Sequence, residues 1–184
     1  CIFLLLLLIY LPHKKYKYYN SISYQILELV QSKQKLHVYR DDNEWVKSFV
    51  ISTAEKGAGQ NKGSFCTPLG QHIVRAKIGK GAPVFSQFAA RRLTGKIWSP
   101  SMSASNSKED WILTRILWLS GLEVGFNRLG NQDTMQRFIY IHGTNDLVNL
   151  GKPKSHGCIR MDNYDIIDLF DQINVGDHVL ISEI

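Results

Sequence analysis

A mostly β domain with one helix close to its C-terminal end is the fold class that this sequence predicts. Short β-prone runs recur between turn signals from residue 34 to residue 142. Residues 162–172 carry a helical repeat with a capping residue in front of it. The chain has 184 residues, 44% hydrophobic and 21% charged, which suits one domain able to bury its own core.

The elements follow in order. Residues 1–22 stand apart from a folded unit at 23–184. Ile2 to Leu11 is an apolar run ended by Pro12, too short to span a bilayer, which takes about twenty residues. Its length suits a truncated secretory signal or a membrane anchor, and a polar link with Lys14, Lys15 and Lys17 follows. Ser23 to Ser32 reads as a short helix, because Ile26, Leu27 and Val30 fall at helical spacing. Residues 34–52 read as a hairpin around Asp41-Asp42-Asn43. Loops rich in Gly lead to the Thr67-Pro68-Leu69-Gly70 turn and then to a strand over 72–78. Gly79 to Lys108, rich in Gly, Ser and Pro, reads as a long, partly ordered excursion of the functional kind. Trp111 to Leu119 and Arg137 to His142 are further apolar β-type runs. Asp162 caps the helix, whose stripe is Tyr164, Ile167, Phe170 and Ile173. Val175-Gly176-Asp177 turns the chain into a last strand, His178 to Ser182.

Net charge is +6, but Lys and Arg are scattered rather than gathered on one face, so no nucleic-acid partner is expected. Cys1, Cys66 and Cys158 are too few for a disulfide framework, and each thiol needs its own account. Cys66, before a Thr-Pro turn, reads as a packing residue.

Two segments carry chemistry: Ile139-Tyr140-Ile141-His142-Gly143-Thr144 and Ser155-His156-Gly157-Cys158-Ile159-Arg160-Met161. Strand residues alternate faces, so with Ile139 and Ile141 in the core His142 shares the other face with Tyr140 and Phe138. Gly143 ends that strand and puts the imidazole at a rim. Sixteen positions separate His142 from Cys158, with Gly151 and Pro153 in the return loop. A free thiol has a pKa of about 8.5 and is mostly protonated at neutral pH, so a neighbouring base is what makes it a nucleophile. His142 supplies that base, taking the proton to form an ion pair. The N–H groups of Gly157 and Cys158 are placed to hold an oxyanion, and Arg160 is suited to gripping a carboxylate through its fork. His156 reads as a structural or substrate-positioning residue, with an oxyanion-site donor or a base as the alternatives. A zinc site built from His142, His156, Cys158 and His72 is the competing arrangement, but its spacing matches no paired-ligand pattern.

These segments resemble the signature of the L,D-transpeptidase catalytic domain, a His-Gly pair followed by Ser/Thr-His-Gly-Cys with a polar residue two positions on. The likeness extends to Gln34-Lys35-Leu36, Ser52-Thr53, Thr67-Pro68-Leu69-Gly70, Gly151-Lys152-Pro153, Asp168-Leu169-Phe170 and Gly176-Asp177-His178-Val179, and so covers roughly residues 34 to 183. It implies a β-sandwich-like catalytic domain with Cys158 as nucleophile, His142 as base and the Gly143 carbonyl orienting that base. Ser155, His156 and Arg160 would contact substrate, and no metal or cofactor is implied. The implied partners are peptidoglycan stem peptides: the thiolate attacks a tetrapeptide stem at the L-centre of its third residue, releases the terminal D-alanine, and passes the acyl group to an amine. That activity implies export to the periplasm or cell envelope, with a membrane tether through the apolar N-terminal segment. Water as acceptor would make the enzyme an L,D-carboxypeptidase, and a free D-amino acid an exchange enzyme. A non-catalytic wall-binding module is the reading from another class. No residue of 79–108 matches the family motifs.

Overall fold

The computed structural model describes residues 25–40, 43–103 and 110–184. The chain is mostly strand. β1 (Gln25–Val30), β2 (Lys35–Arg40) and β3 (Trp45–Ser52) form an antiparallel meander. β4 (Gly70–Ile78) pairs with both β7 (Ile112–Gly121) and the last strand, β10 (His178–Ser182). β8 (Tyr140–Gly143) and β9 (Ile159–Met161) run parallel to each other between β7 and β3. Because β4 joins both sides, eight strands close into a circuit, β4-β10-β1-β2-β3-β9-β8-β7 and back to β4. The sandwich-like expectation takes the form of one sheet returning on itself, which leaves those strands no open edge. The hairpin of β5 (Ser86–Ala89) and β6 (Arg92–Ile97) hangs off β7.

The core runs through the circuit. Leu27, Leu29, Leu36, Val38, Ile51, Leu117, Ile141, Ile159 and Met161 are fully buried. The main helix, α2 (Asn163–Gln172), closes it, after the four-residue helix α1 (Pro100–Ser103). Asp162 caps α2 as expected, accepting from the Tyr164 and Asp165 N–H groups. The buried stripe differs by a small rotation from the expected one. Ile166, Leu169, Phe170 and Ile173 face the core, a cleaner i, i+3, i+4, i+7 set, while Tyr164 is exposed.

Two further expectations are corrected. The segment expected as a helix over 23–32 is strand β1. Leu27 and Leu29 alternate inward, and β1 has a hydrogen-bonding neighbour on each side, β2 and β10. The four apolar residues of a six-residue segment satisfy both periods, and the two flanking strands decide it. The described part of the 79–108 excursion, residues 79–103, is more ordered than its composition suggests. Ala90 and Arg91 both take positive φ, 46° and 66°, as in the tight turns that suit a twisted hairpin. That turn lacks the usual Asn-Gly signature, which hid the hairpin. No helix among the described residues is long and apolar enough to cross a membrane. The tether expected at residues 1–22 lies outside the described residues.

Candidate active site

The site is built on the parallel β8–β9 pair. Their register sets Ile141 beside Ile159 and His142 beside Arg160. Alternation then puts Tyr140 and His142 on one face with Cys158 and Arg160, while Ile139, Ile141, Ile159 and Met161 enter the main core. The Tyr140 N–H donates to Cys158 Sγ at 3.4 Å, and the thiol lies 3.4 Å from the Phe138 carbonyl as its acceptor. His142 and Cys158 therefore share one face of the sheet, Cys158 at the entry to β9 beside Tyr140 and His142 two residues further along β8. The imidazole is not at a rim, however: His142 is 1% exposed.

One hydrogen bond fixes the chemistry of that ring. His142 Nδ1 lies 2.9 Å from the Gly143 carbonyl. A carbonyl only accepts, so Nδ1 carries the proton and Nε2 of the neutral ring is left as the basic nitrogen. Gly143 is glycine for reasons of space. A Cβ there would sit 2.5 Å from Asn163 Oδ1 and 2.9 Å from the Leu113 carbonyl. Buried Asn163 donates to the Thr144 carbonyl and pairs with Thr114, so helix α2 buttresses the end of β8.

The Ser155–Cys158 turn is held from three directions. Ser155 is buried, its Oγ donating to the Cys158 carbonyl and accepting from the Gly157 N–H at 3.2 Å. Thr67 Oγ1 donates to the Gly157 carbonyl at 3.0 Å and accepts from the Ala54 N–H. Thr53 receives the Lys154 and Ser155 N–H groups on its carbonyl and exchanges two hydrogen bonds with Gln34. The scattered segments 34, 52–54 and 67 are thus the cradle of the nucleophile's turn. Gly157 has φ +126°, a region that favours glycine. Its N–H, expected at an oxyanion, already donates to Ser155, and Ser155, expected at the substrate, is occupied inside the turn.

Arg160 also has partners of its own. It is 4% exposed, with Nη2 2.6 Å from Asp110 Oδ2 and Nη1 3.1 Å from Asp146 Oδ2. The fork expected to grip a substrate carboxylate is filled by two of the chain's carboxylates. His156 is exposed and lies 3.2 Å from the same Asp110 oxygen. Asp110, two residues beyond the 79–108 stretch, belongs to no motif, so nothing in the local pattern marks it. Arg137 was missed too. Its guanidinium donates to the carbonyls of Gly59, Gln60 and Cys66 and pins the 59–66 loop beside the site.

Electrostatics set the resting charge state. Burial pushes the Cys158 thiol up to about 12; the Tyr140 N–H, Arg160 and Arg137 oppose that shift, and Asp110 adds to it. Burial pushes His142 down, with Asp110 and the Gly143 carbonyl pulling the other way. Both directions favour the proton on sulfur, the neutral form of the thiol and imidazole. Of the residues of the competing zinc arrangement, His72 is fully buried and bonded at both nitrogens, to Gly70 O and Thr134 Oγ1. Among the described residues no group of three or more His, Cys, Asp or Glu is arranged to hold a metal ion.

Comparison with known proteins identifies the family. The YkuD family, the L,D-transpeptidase catalytic domain, matches residues 25–181. Bacillus subtilis (strain 168) YqjB, provisionally named an L,D-transpeptidase, is 45% identical over 60 residues, 33% of this chain and 32% of YqjB. YkuD of the same organism, named in the same way, is 48% identical over 42 residues, 23% of this chain and 26% of its own. The chain thus spans about a third or less of the curated relatives it matches. Among solved structures, L,D-transpeptidase 3 from Mycobacterium tuberculosis with a faropenem-derived adduct has a TM-score of 0.53 at 16% identity, covering 88% of this chain and 61% of its own. An L,D-transpeptidase from Mycobacterium smegmatis has a TM-score of 0.52 at 16% identity, covering 87% and 59%. At those identities the likeness is one of fold, whereas the family match spans nearly all the described residues: the chain belongs to the L,D-transpeptidase catalytic domain family.

Proposed function

We propose that the chain is an acyltransferase that works on peptidoglycan tetrapeptide stems through a thioester on Cys158. His142 Nε2 takes the thiol proton as Sγ attacks the carbonyl of the stem's third residue. The C–N bond to the terminal D-alanine breaks, and the imidazolium returns the proton to the leaving amine. An amine from a second stem then attacks the thioester carbonyl, giving a new amide and restoring the thiol. Because the resting pair is neutral, proton transfer accompanies attack instead of preceding it. Asp110 favours the imidazolium that forms along the way.

The observation that carries this reading is the bond from His142 Nδ1 to the Gly143 carbonyl, made on the sheet face that also bears Cys158. It leaves Nε2 as the one basic nitrogen of the neutral ring. Mass spectrometry of the protein with a tetrapeptide stem is the test. The expected result is an adduct of the stem less D-alanine on Cys158, lost in Cys158→Ala. Full turnover by Cys158→Ala would overturn it. A wall substrate also places the working site in the periplasm or cell envelope, and cell fractionation checks that part of the proposal.

A further inference from the structure

Beside the nucleophile lies a surface that the acyl-transfer chemistry does not use. Arg91, at the tip of the β5–β6 hairpin, sits 4.8 Å from the Trp118 ring centre and 4.9 Å from that of Phe138. Its Nη1 donates to the Tyr140 hydroxyl at 3.0 Å. Trp118 and Phe138 line a groove of about 270 Å³ with Met135, Gln136 and Lys62. Arg75 stands 5.7 Å from the same Trp118 ring. Phe138 is 48% exposed, and its own carbonyl is the acceptor at Cys158 Sγ. Among the described residues no carboxylate pairs with Arg91, Arg75 or Lys62. A guanidinium stacked on two rings is held in place without being neutralised, and its unused N–H groups remain available as a fork.

We propose that this shelf, with Arg91 as its anchor and Lys62 at its rim, binds a carboxylate of the acyl-donor peptide. The proposal rests on the acyl-transfer reading above and adds to it the side from which the donor arrives. Charge complementarity selects the occupant. Cations over aromatic faces attract an anionic peptide, and the Phe138 carbonyl at Cys158 Sγ sets the shelf beside the sulfur that the donor's carbonyl must reach. The donor carboxylate is either that of the terminal residue or one carried by another residue of the stem, and amidating each separately tells them apart.

The experiment is binding to the Cys158→Ala protein, measured with a tetrapeptide stem, its terminal amide and its side-chain amide. The acid should bind about tenfold more weakly to the protein that also carries Arg91→Gln, the size of one charge-assisted hydrogen bond. Arg91→Lys should recover part of that loss. The amide of the recognised carboxylate should bind about tenfold more weakly to the Arg91 protein and be indifferent to Arg91→Gln. This comparison of ligands on a single protein holds even if the variants fold poorly. Equal losses for the acid and both amides, no loss on Arg91→Gln, or no binding of the stem at all would overturn the shelf. Failure of the wild-type protein to form a thioester, while Arg91-dependent carboxylate binding persists, would instead sink acyl transfer and leave the shelf standing.

Discussion

Toward the start of the parallel β8–β9 pair, Arg91, Arg75 and Lys62 meet aromatic rings or groove and no carboxylate among the described residues. Two residues further along the same strands, Arg160 meets Asp110 and Asp146. Both ends present arginine near Cys158, yet only one leaves its charge open to a ligand. The difference is burial. Arg160 is 4% exposed, and a guanidinium taken out of water at that depth needs carboxylates of its own. Arg91 is half-buried and keeps its solvent face, so ring faces suffice. A basic residue next to a nucleophile is therefore a poor guide to substrate binding until its partners are known.

The comparison can be broken most severely at the carboxylate end. His142→Gln removes the base, and kcat/KM for thioester formation should fall by about 10²–10⁴-fold. A smaller loss, read by stopped-time mass spectrometry, would mean that another group takes the proton. Next in size is Arg160→Gln, which leaves Asp110 and Asp146 crowded without their cation. It should cost about 3 kcal/mol of stability by denaturant unfolding. A change under about 0.5 kcal/mol would show that this pair is solvent-screened like any surface bridge. The smallest of the three effects is sharper in kind. Asp110 raises His142 toward protonation, so Asp110→Asn lowers the pH at which the base becomes free. The acid limb of the kcat/KM profile should shift to lower pH, and the rate on its plateau should drop as the imidazolium loses a carboxylate partner. An unmoved limb would confine Asp110 to holding Arg160 and His156.

Much of the fold was legible because its signals were local. The hairpin over 34–52, the strand leading to Ile78 and the Asp162-capped helix each follow from patterns a few residues long. That His142 and Cys158 would share a sheet face was legible because β alternation and a short return loop constrain it strongly. What escaped depends on distant partners. β1 is a strand because β2 and β10 flank it. The β5–β6 hairpin turns at Ala90-Arg91, without glycine or asparagine to mark it. Asp110 and Arg137 reach the site from loops and belong to no motif.

By itself the sequence determined the residue types that can do the chemistry and the strands that carry them, since thiol, imidazole and alternation are properties of the chain at short range. Tertiary structure alone decided the state those groups rest in. Burial around His142 and Cys158 pushes the imidazole down and the thiol up, which favours the proton on sulfur. The arrival of Asp110 and Asp146 closes Arg160, and the hairpin tip that sets Arg91 over Trp118 and Phe138 leaves another arginine open. The reason is physical: the free energy of a charge depends on everything within several ångströms of it, and only the folded chain settles what that is.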